Sequence, residues 1–287
     1  SSDEVVLVFS EPLRTDATRF TVDGTLRAGA VASSVIGDGA TVIVSPSPNW
    51  DEAAQAVQTL TGGVTDRAGN SGGIFAEYVV ASGAVYVDGD DGTPGGTGSD
   101  SDPVDTIGEA VDNADPGEVI RVTGGTYDEP IELGDGVVIS GGWDDDFVDQ
   151  DPLANPTIIE PNDPSSAPDD SPTGSVSCSG VASALVTGLE IRGAGGAARA
   201  AVLIGAGCGD RVVFTENRII ANTTSGTGYG VYVEDGGNAL FFFNEIRGGS
   251  GDGVSYAVFL EAAGSSLELA ENLIDGWHGN PASYGVF

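Results

Sequence analysis

Between Ala184 and Phe287 one short unit is written almost four times. The copies are ALVTGLEIRG, RVVFTENRIIAN, ALFFFNEIRGG and SLELAENLIDG, each followed by a small-residue loop and a second apolar triplet. Ile191, Ile219, Ile246 and Ile274 fall at steps of 28, 27 and 28, and Val202, Val231, Val258 and Val286 at steps of 29, 27 and 28. Asn217, Asn244 and Asn272 sit two residues before their isoleucines, again 27 and 28 apart. A unit this short, built of β-branched and aromatic triplets between Gly/Asn turns, cannot hold a helical hairpin and its core. It suits one coil of a β-solenoid, in which neighbouring coils bury what a single coil cannot.

Composition narrows the rest. The 287 residues are 40% apolar, enough for a folded protein, and 45 glycines against 14 prolines fit many short strands and tight turns. There are 44 Asp and Glu against 10 Arg, with no Lys, for a net charge of −34. That excess repels phosphate backbones and anionic lipid, which argues against nucleic acid and membrane surfaces as partners. Two readings of the acidity stand: a solubilising surface suited to salt, or charge that in part binds Ca²⁺. Apolar runs are no longer than stretches such as Ala239–Phe243, too short for a membrane-spanning helix. Ser1-Ser2-Asp3-Glu4 reads as a mature or trimmed start. Cys178 and Cys208 lie 30 residues apart, close to one coil period, so neighbouring coils would bring them within disulfide reach. Paired, they point outside the cytoplasm; two buried thiols are the alternative.

Residues 4–80 keep a different rhythm. EVVLVFSEPL alternates, and FTVDG, TVIVSPSP and AEYVV follow between turn-rich segments, the pattern of antiparallel strands half exposed to water. Phe9-Ser10-Glu11-Pro12 follows the first strand, and Asp66-Arg67-Ala68-Gly69-Asn70 precedes the last, 57 residues on. Together these motifs resemble the bacterial Ig-like domains of surface-layer and other extracellular proteins. The resemblance implies a β-sandwich over residues 1–82. Such domains open with a further strand before the FSEP strand, and only four residues precede Val5 here. Either that strand has been removed, or a neighbouring molecule or upstream segment supplies it by strand addition. Glu11, Asp16, Asp23 and Asp66 could approach a cation, although an Asp at a turn more often caps its own backbone.

From AVYVD (84–88) the chain enters a Gly/Asp/Thr/Ser loop, then TIGEAVDNA, a short helix with Asp105 or Thr106 at its N-cap and Pro116-Gly117 as its stop. VIRV, GGTYDEPIEL and GVVISGGW follow. The order YVDGDDGTPG…DP…TIGEAVDNADPGEVIRVTGGTY resembles the N-terminal cap and first coils of the pectate-lyase-like right-handed parallel β-helix superfamily. The expected architecture is therefore all-β: an Ig-like sandwich over 1–82, then a right-handed parallel β-helix over 83–287 with a capping helix. An acidic, Pro-rich loop interrupts the coils at about 144–175. The helix would cover apolar surface and open strand ends on the first coil. The fold hosts many functions and selects none of them.

Candidate sites follow. Asn217, Asn244 and Asn272 would stack as an inward structural ladder, with Leu189 in that column one coil earlier. Trp277 and His278 project together on the last long turn, where Trp277 could stack on a sugar ring and His278 act as a base; packing on the neighbouring turn is the plainer reading. Asp88, Asp90, Asp91, Asp100 and Asp102 crowd the first loop and offer the hard oxygens that Ca²⁺ takes, without the later Glu of an EF-hand loop. Asp144, Asp145, Asp146, Asp149 and Asp151 form a second cluster.

The superfamily resemblance implies two catalytic patterns, and neither is written here. Its lyases use Arg or Lys beside Ca²⁺-binding acids, whereas Arg192, Arg199, Arg211, Arg218 and Arg247 are scattered. Its hydrolases use clustered Asp, whereas the coils offer Glu190, Glu216, Glu245, Glu268 and Glu271. Glu216, Phe243 and Glu271 share a column, so its two glutamates lie about 9.6 Å apart, two strand spacings, at the edge of the inverting-glycosidase range. No catalytic residue is assigned. The expected protein is an extracellular or cell-surface structural or adhesive component that associates with itself or other surface proteins. Head-to-tail assembly through an incomplete Ig-like module and a coil that stops uncapped is part of that expectation. The rival is a polysaccharide-binding or polysaccharide-degrading β-helix.

Overall fold

The computed structural model describes residues 5–8, 19–24, 29–30, 32–35, 41–45, 56–65, 71–80, 84–161, 173–193, 199–221, 227–249, 254–262, 264–276 and 282–287. The chain divides into two compact units, Ser1–Gly83 and Ala84–Phe287. In the first, all pairing is antiparallel. Val5–Val8 and Ala32–Val35 flank Thr41–Ser45 in a three-stranded sheet. Arg19–Gly24 lies between Gly29–Ala30 and Ala56–Thr65, which in turn pairs with Ser71–Val80. The FSEP and DRAGN motifs fall outside the described residues.

The second unit is a parallel β-solenoid of six sets of three strands. Coil 1 comprises Val119–Thr123, Gly125–Tyr127 and Ile131–Glu132. Coil 2 comprises Val138–Trp143, Thr157–Ile159 and Thr173–Cys178. Coil 3 comprises Ser183–Thr187, Leu189–Arg192 and Arg199–Ile204. Coil 4 comprises Arg211–Thr215, Arg218–Ile220 and Gly228–Val233. Coil 5 comprises Asn238–Phe242, Glu245–Arg247 and Ser255–Leu260. Coil 6 comprises Ser266–Ala270, Leu273–Asp275 and Ser283–Val286. Corresponding strands stack into a first, second and third sheet, and Ala84–Val87 adds a seventh strand to the first sheet ahead of coil 1.

The repeat works because each inward column carries one kind of side chain. The second sheet stacks Ile159, Ile191, Ile219 and Ile246, all without solvent exposure. The third stacks Val176, Val202, Val231 and Val258. The first runs Val85, Ile120, Ile139, Val186, Phe214 and Phe241, and the two phenylalanine rings stack 4.7 Å apart. Each such side chain contributes about 1.5–3 kcal/mol by leaving water, but only because the coils above and below exclude water together.

Helix α1, Ile107–Asn113, packs Ile107 and Ala110 against the first coil. Thr106 is the N-cap, and its Oγ1 accepts the Glu109 amide at 3.3 Å. Glu129 of coil 1 accepts the Ile107 and Gly108 amides at 2.7 and 3.0 Å, so a carboxylate sits on the positive end of the helix. Cys178 and Cys208 form a disulfide across adjacent coils with their Cα atoms 6.1 Å apart. None of the described helices is long and apolar enough to cross a membrane.

Candidate functional site

The turn between the first and second sheets sets the geometry of the outer surface. Gly188, Glu216, Phe243 and Glu271 occupy equivalent positions and share a left-handed backbone, at φ of 70°, 55°, 56° and 55°. Left-handed backbone costs a non-glycine residue about 1–2 kcal/mol. Glycine stands in coil 3 for a local reason. A Cβ on Gly188 would meet the Gly141 carbonyl oxygen at 2.9 Å and Pro152 Cγ at 3.3 Å. Pro152 belongs to the loop 144–156, which folds over this turn. Beyond the loop the turn position is open, and it carries Glu, Phe and Glu.

Immediately after this column comes the asparagine ladder, facing inward. Asn217 Oδ1 accepts the Leu189 amide at 3.0 Å, Asn244 Oδ1 accepts the Asn217 amide at 2.9 Å, and Asn272 Oδ1 accepts the Asn244 amide at 2.8 Å. Each Nδ2 donates back to a carbonyl one coil earlier: Asn217 to Val186, Asn244 to Phe214 and Asn272 to Phe241. The side chains thereby replace backbone pairing where the chain turns and its own groups splay apart.

Outward from the second sheet, the arginines that look scattered in the sequence join a chain of charge. Arg192 donates to Glu160 at 2.6 Å and to Glu190 at 2.5 Å. Arg218 donates to Glu190 at 2.7 Å and to Glu245 at 3.2 Å, and Arg247 completes the series on Glu245. Burial alone would raise the Glu190 carboxyl, but hydrogen bonds from Arg218 and Arg192 outweigh it and hold the group below its usual 4.5.

A cleft of about 610 Å³ opens over this sheet. It is lined by Glu190, Arg218 and Glu245 of the sheet, by Pro152, Leu153 and Pro156 of the loop, and by Glu216 and Phe243 of the turn column. It spans coils 2 to 5, about 14 Å at three strand spacings. A smaller opening of about 250 Å³ between Glu160, Arg192 and Ile220 adjoins it.

The third sheet's outer face is aromatic. Tyr229, Tyr256 and Tyr284 stack with centroids 5.4 and 5.1 Å apart, and Tyr232, Phe259 and Phe287 stack at 5.2 and 5.6 Å. Along each column the rings cover one another's faces. Burial, then the neighbouring Glu261 carboxylate, pushes the Tyr232 phenol up to about 12.

The acidic loops use their carboxylates locally. Asp88 Oδ1 accepts the amides of Asp90 and Asp91, and Asp102 Oδ2 accepts that of Thr97. Asp144 Oδ1 takes the amides of Val148 and Asp149, and Asp151 Oδ1 those of Leu153 and Ala154. Among the described residues no three acidic, His or Cys side chains gather into a metal-sized set, so Asp88, Asp90, Asp91, Asp100 and Asp102 are not brought together as one. Trp277 and His278 lie outside the described residues. The cleft was invisible in the sequence. Its one clue was the turn column Gly188, Glu216, Phe243, Glu271, where glycine gives way to large side chains.

No family profile matches the chain, and no curated protein does. Among solved structures, it is similar to the Yersinia enterocolitica family 28 exopolygalacturonase. The identity is 11%, 94% of this chain and 73% of that one are covered, and the TM-score is 0.28.

Proposed function

We propose that this chain is an extracellular, non-catalytic structural and adhesive protein: an Ig-like module carrying a stiff β-solenoid arm. The observation that supports the reading best is the way the outer faces are wired. The chain from Glu160 to Arg247 and the two aromatic columns run lengthwise from coil to coil, each group partnered by the next. Such wiring stiffens a rod. It also ties up Glu190 and Glu245, two of the carboxylates that line the cleft. A glycosidase acid needs a carboxyl whose pKa is raised so that it holds a proton near neutrality. Glu190 is pulled the opposite way by two guanidinium groups. The disulfide suits an oxidising compartment, and the antiparallel strands of the first unit suit the Ig-like motifs.

The test is incubation of the full chain with neutral and acidic polysaccharides, following new reducing ends and unsaturated products. No release is expected, and turnover of any of them overturns the non-catalytic reading. Sedimentation with and without Ca²⁺ addresses self-association. Larger species are expected, and a monodisperse monomer in both conditions removes assembly from the proposal.

A further inference from the structure

We infer that the cleft over the second sheet is the adhesive site, and that it takes a short, neutral oligosaccharide. This rests on the non-catalytic, adhesive reading above. Four features converge. The cleft runs over coils 2 to 5, and Pro152, Leu153 and Pro156 of the loop between coil-2 strands line it with apolar side chains. Leu153 is 96% exposed there, an apolar side chain held in water by a loop whose own turn is pinned by Asp151. At the rim, Phe243 and Glu216 keep left-handed backbone that glycine would adopt without strain, as Gly188 does one coil earlier. Large side chains thus stand over the cleft where coil 3 has glycine. The floor then offers Glu190, Arg218 and Glu245, fixed in place by one another.

The chemistry of this lining selects its ligand. Apolar walls suit the C–H faces of sugar rings, and fixed carboxylate and guanidinium groups accept from and donate to hydroxyls. The floor carboxylates already share arginines, so a discrete cation finds little uncompensated charge there, and a net charge of −34 repels uronates and sulfated sugars. A peptide is the weaker fit. The backbone groups of these strands are consumed by pairing between coils 2 and 5, which leaves no edge for a strand to join. The aromatic columns of the third sheet are weaker still as a sugar platform, because stacking covers the faces of Tyr229, Tyr232, Tyr256 and Phe259 and leaves only the last rings, Tyr284 and Phe287, exposed.

Titration calorimetry of the full chain against neutral gluco-, xylo- and manno-oligosaccharides, with oligogalacturonate as the charged control, tests the assignment. Saturable binding of at least one neutral series is expected, with oligogalacturonate bound at least tenfold more weakly. Phe243→Gly removes the ring and relieves the backbone, and Leu153→Ser changes an exposed loop side chain, so neither threatens folding. Each is expected to weaken binding about tenfold. Absence of neutral-sugar binding, binding indifferent to both substitutions, or tighter binding of the uronate overturns the inference. So does saturable binding of an unstructured peptide, sensitive to Phe243→Gly and Leu153→Ser, without any sugar binding. The polysaccharide release assay reads separately: no binding and no turnover sinks the cleft assignment alone, whereas turnover sinks the non-catalytic reading.

Discussion

A single asparagine shows how little slack the solenoid has. Asn244 is 2% exposed; it accepts from Asn217 and donates to the Phe214 carbonyl, where no water reaches. Asn244→Ala orphans both partners, each at about 1–3 kcal/mol, so a loss of about 3 kcal/mol is expected in urea unfolding. Asn272→Ala, at the half-buried end of the ladder, should cost visibly less. Glu190 makes a second prediction because its charge, not its shape, is what the arginines hold. Its folded pKa lies below 4.5, so ionisation stabilises the fold above the unfolded value, and that share is lost as pH falls through the folded value. Glu190→Gln should therefore be less stable than the parent at pH 7, and the gap should narrow as pH falls below the ordinary carboxylate range and through the lowered folded value. A gap that stays constant across that range would show that packing, not charge, makes the difference. The asparagine column was legible in the sequence because the same residue returns at a fixed step. The glutamate–arginine chain was not, since Glu190, Arg218 and Glu245 share a column without sharing an identity, and Ile220 interrupts the column beside it.

At the scale of elements, period decides what can be read in advance. Strands that recur every coil announce themselves, and so do the isoleucine and valine columns they bury. The loop 144–156 does not recur. Its placement over Gly188 depends on Pro152 meeting a turn more than thirty residues away. No local pattern encodes that contact, so the loop's share in the cleft could not be anticipated, although its composition marked it as an excursion. The disulfide lies between these cases, because a spacing of 30 is nearly one coil but not the register of two paired strands. Closing a loop of that length removes chain entropy worth about 3–4 kcal/mol from the unfolded state. Cys178→Ala with Cys208→Ala should lower the urea midpoint accordingly, and a reducing agent should do the same to the parent. Because each coil rests only on its neighbours, the loss should appear first in hydrogen exchange around coils 2 and 3 and fade toward coil 5. Uniform loss of protection along the solenoid would mean that it unfolds as one block.

For the molecule as a whole, two electrostatic effects oppose each other. The outer chain of ion pairs weakens as salt is added, but its arginines are 26–43% exposed, and such pairs contribute about 0.2–1 kcal/mol each. Against this stands the mutual repulsion of 44 acidic groups with only 10 arginines among them. That repulsion reaches across the surface at low salt, where the Debye length is about 30 Å at 0.01 M, and is confined to about 3 Å at 1 M. Repulsion acts over many pairs and attraction over few, so the sum favours the folded chain as salt rises. The thermal midpoint should climb between 0.01 and 1 M NaCl, while the difference between the parent and Glu190→Gln shrinks over the same range. The two trends must move in opposite directions if both effects are as assigned. A midpoint that falls with salt would mean that the outer ion pairs, and not the excess negative charge, govern the stability of the solenoid.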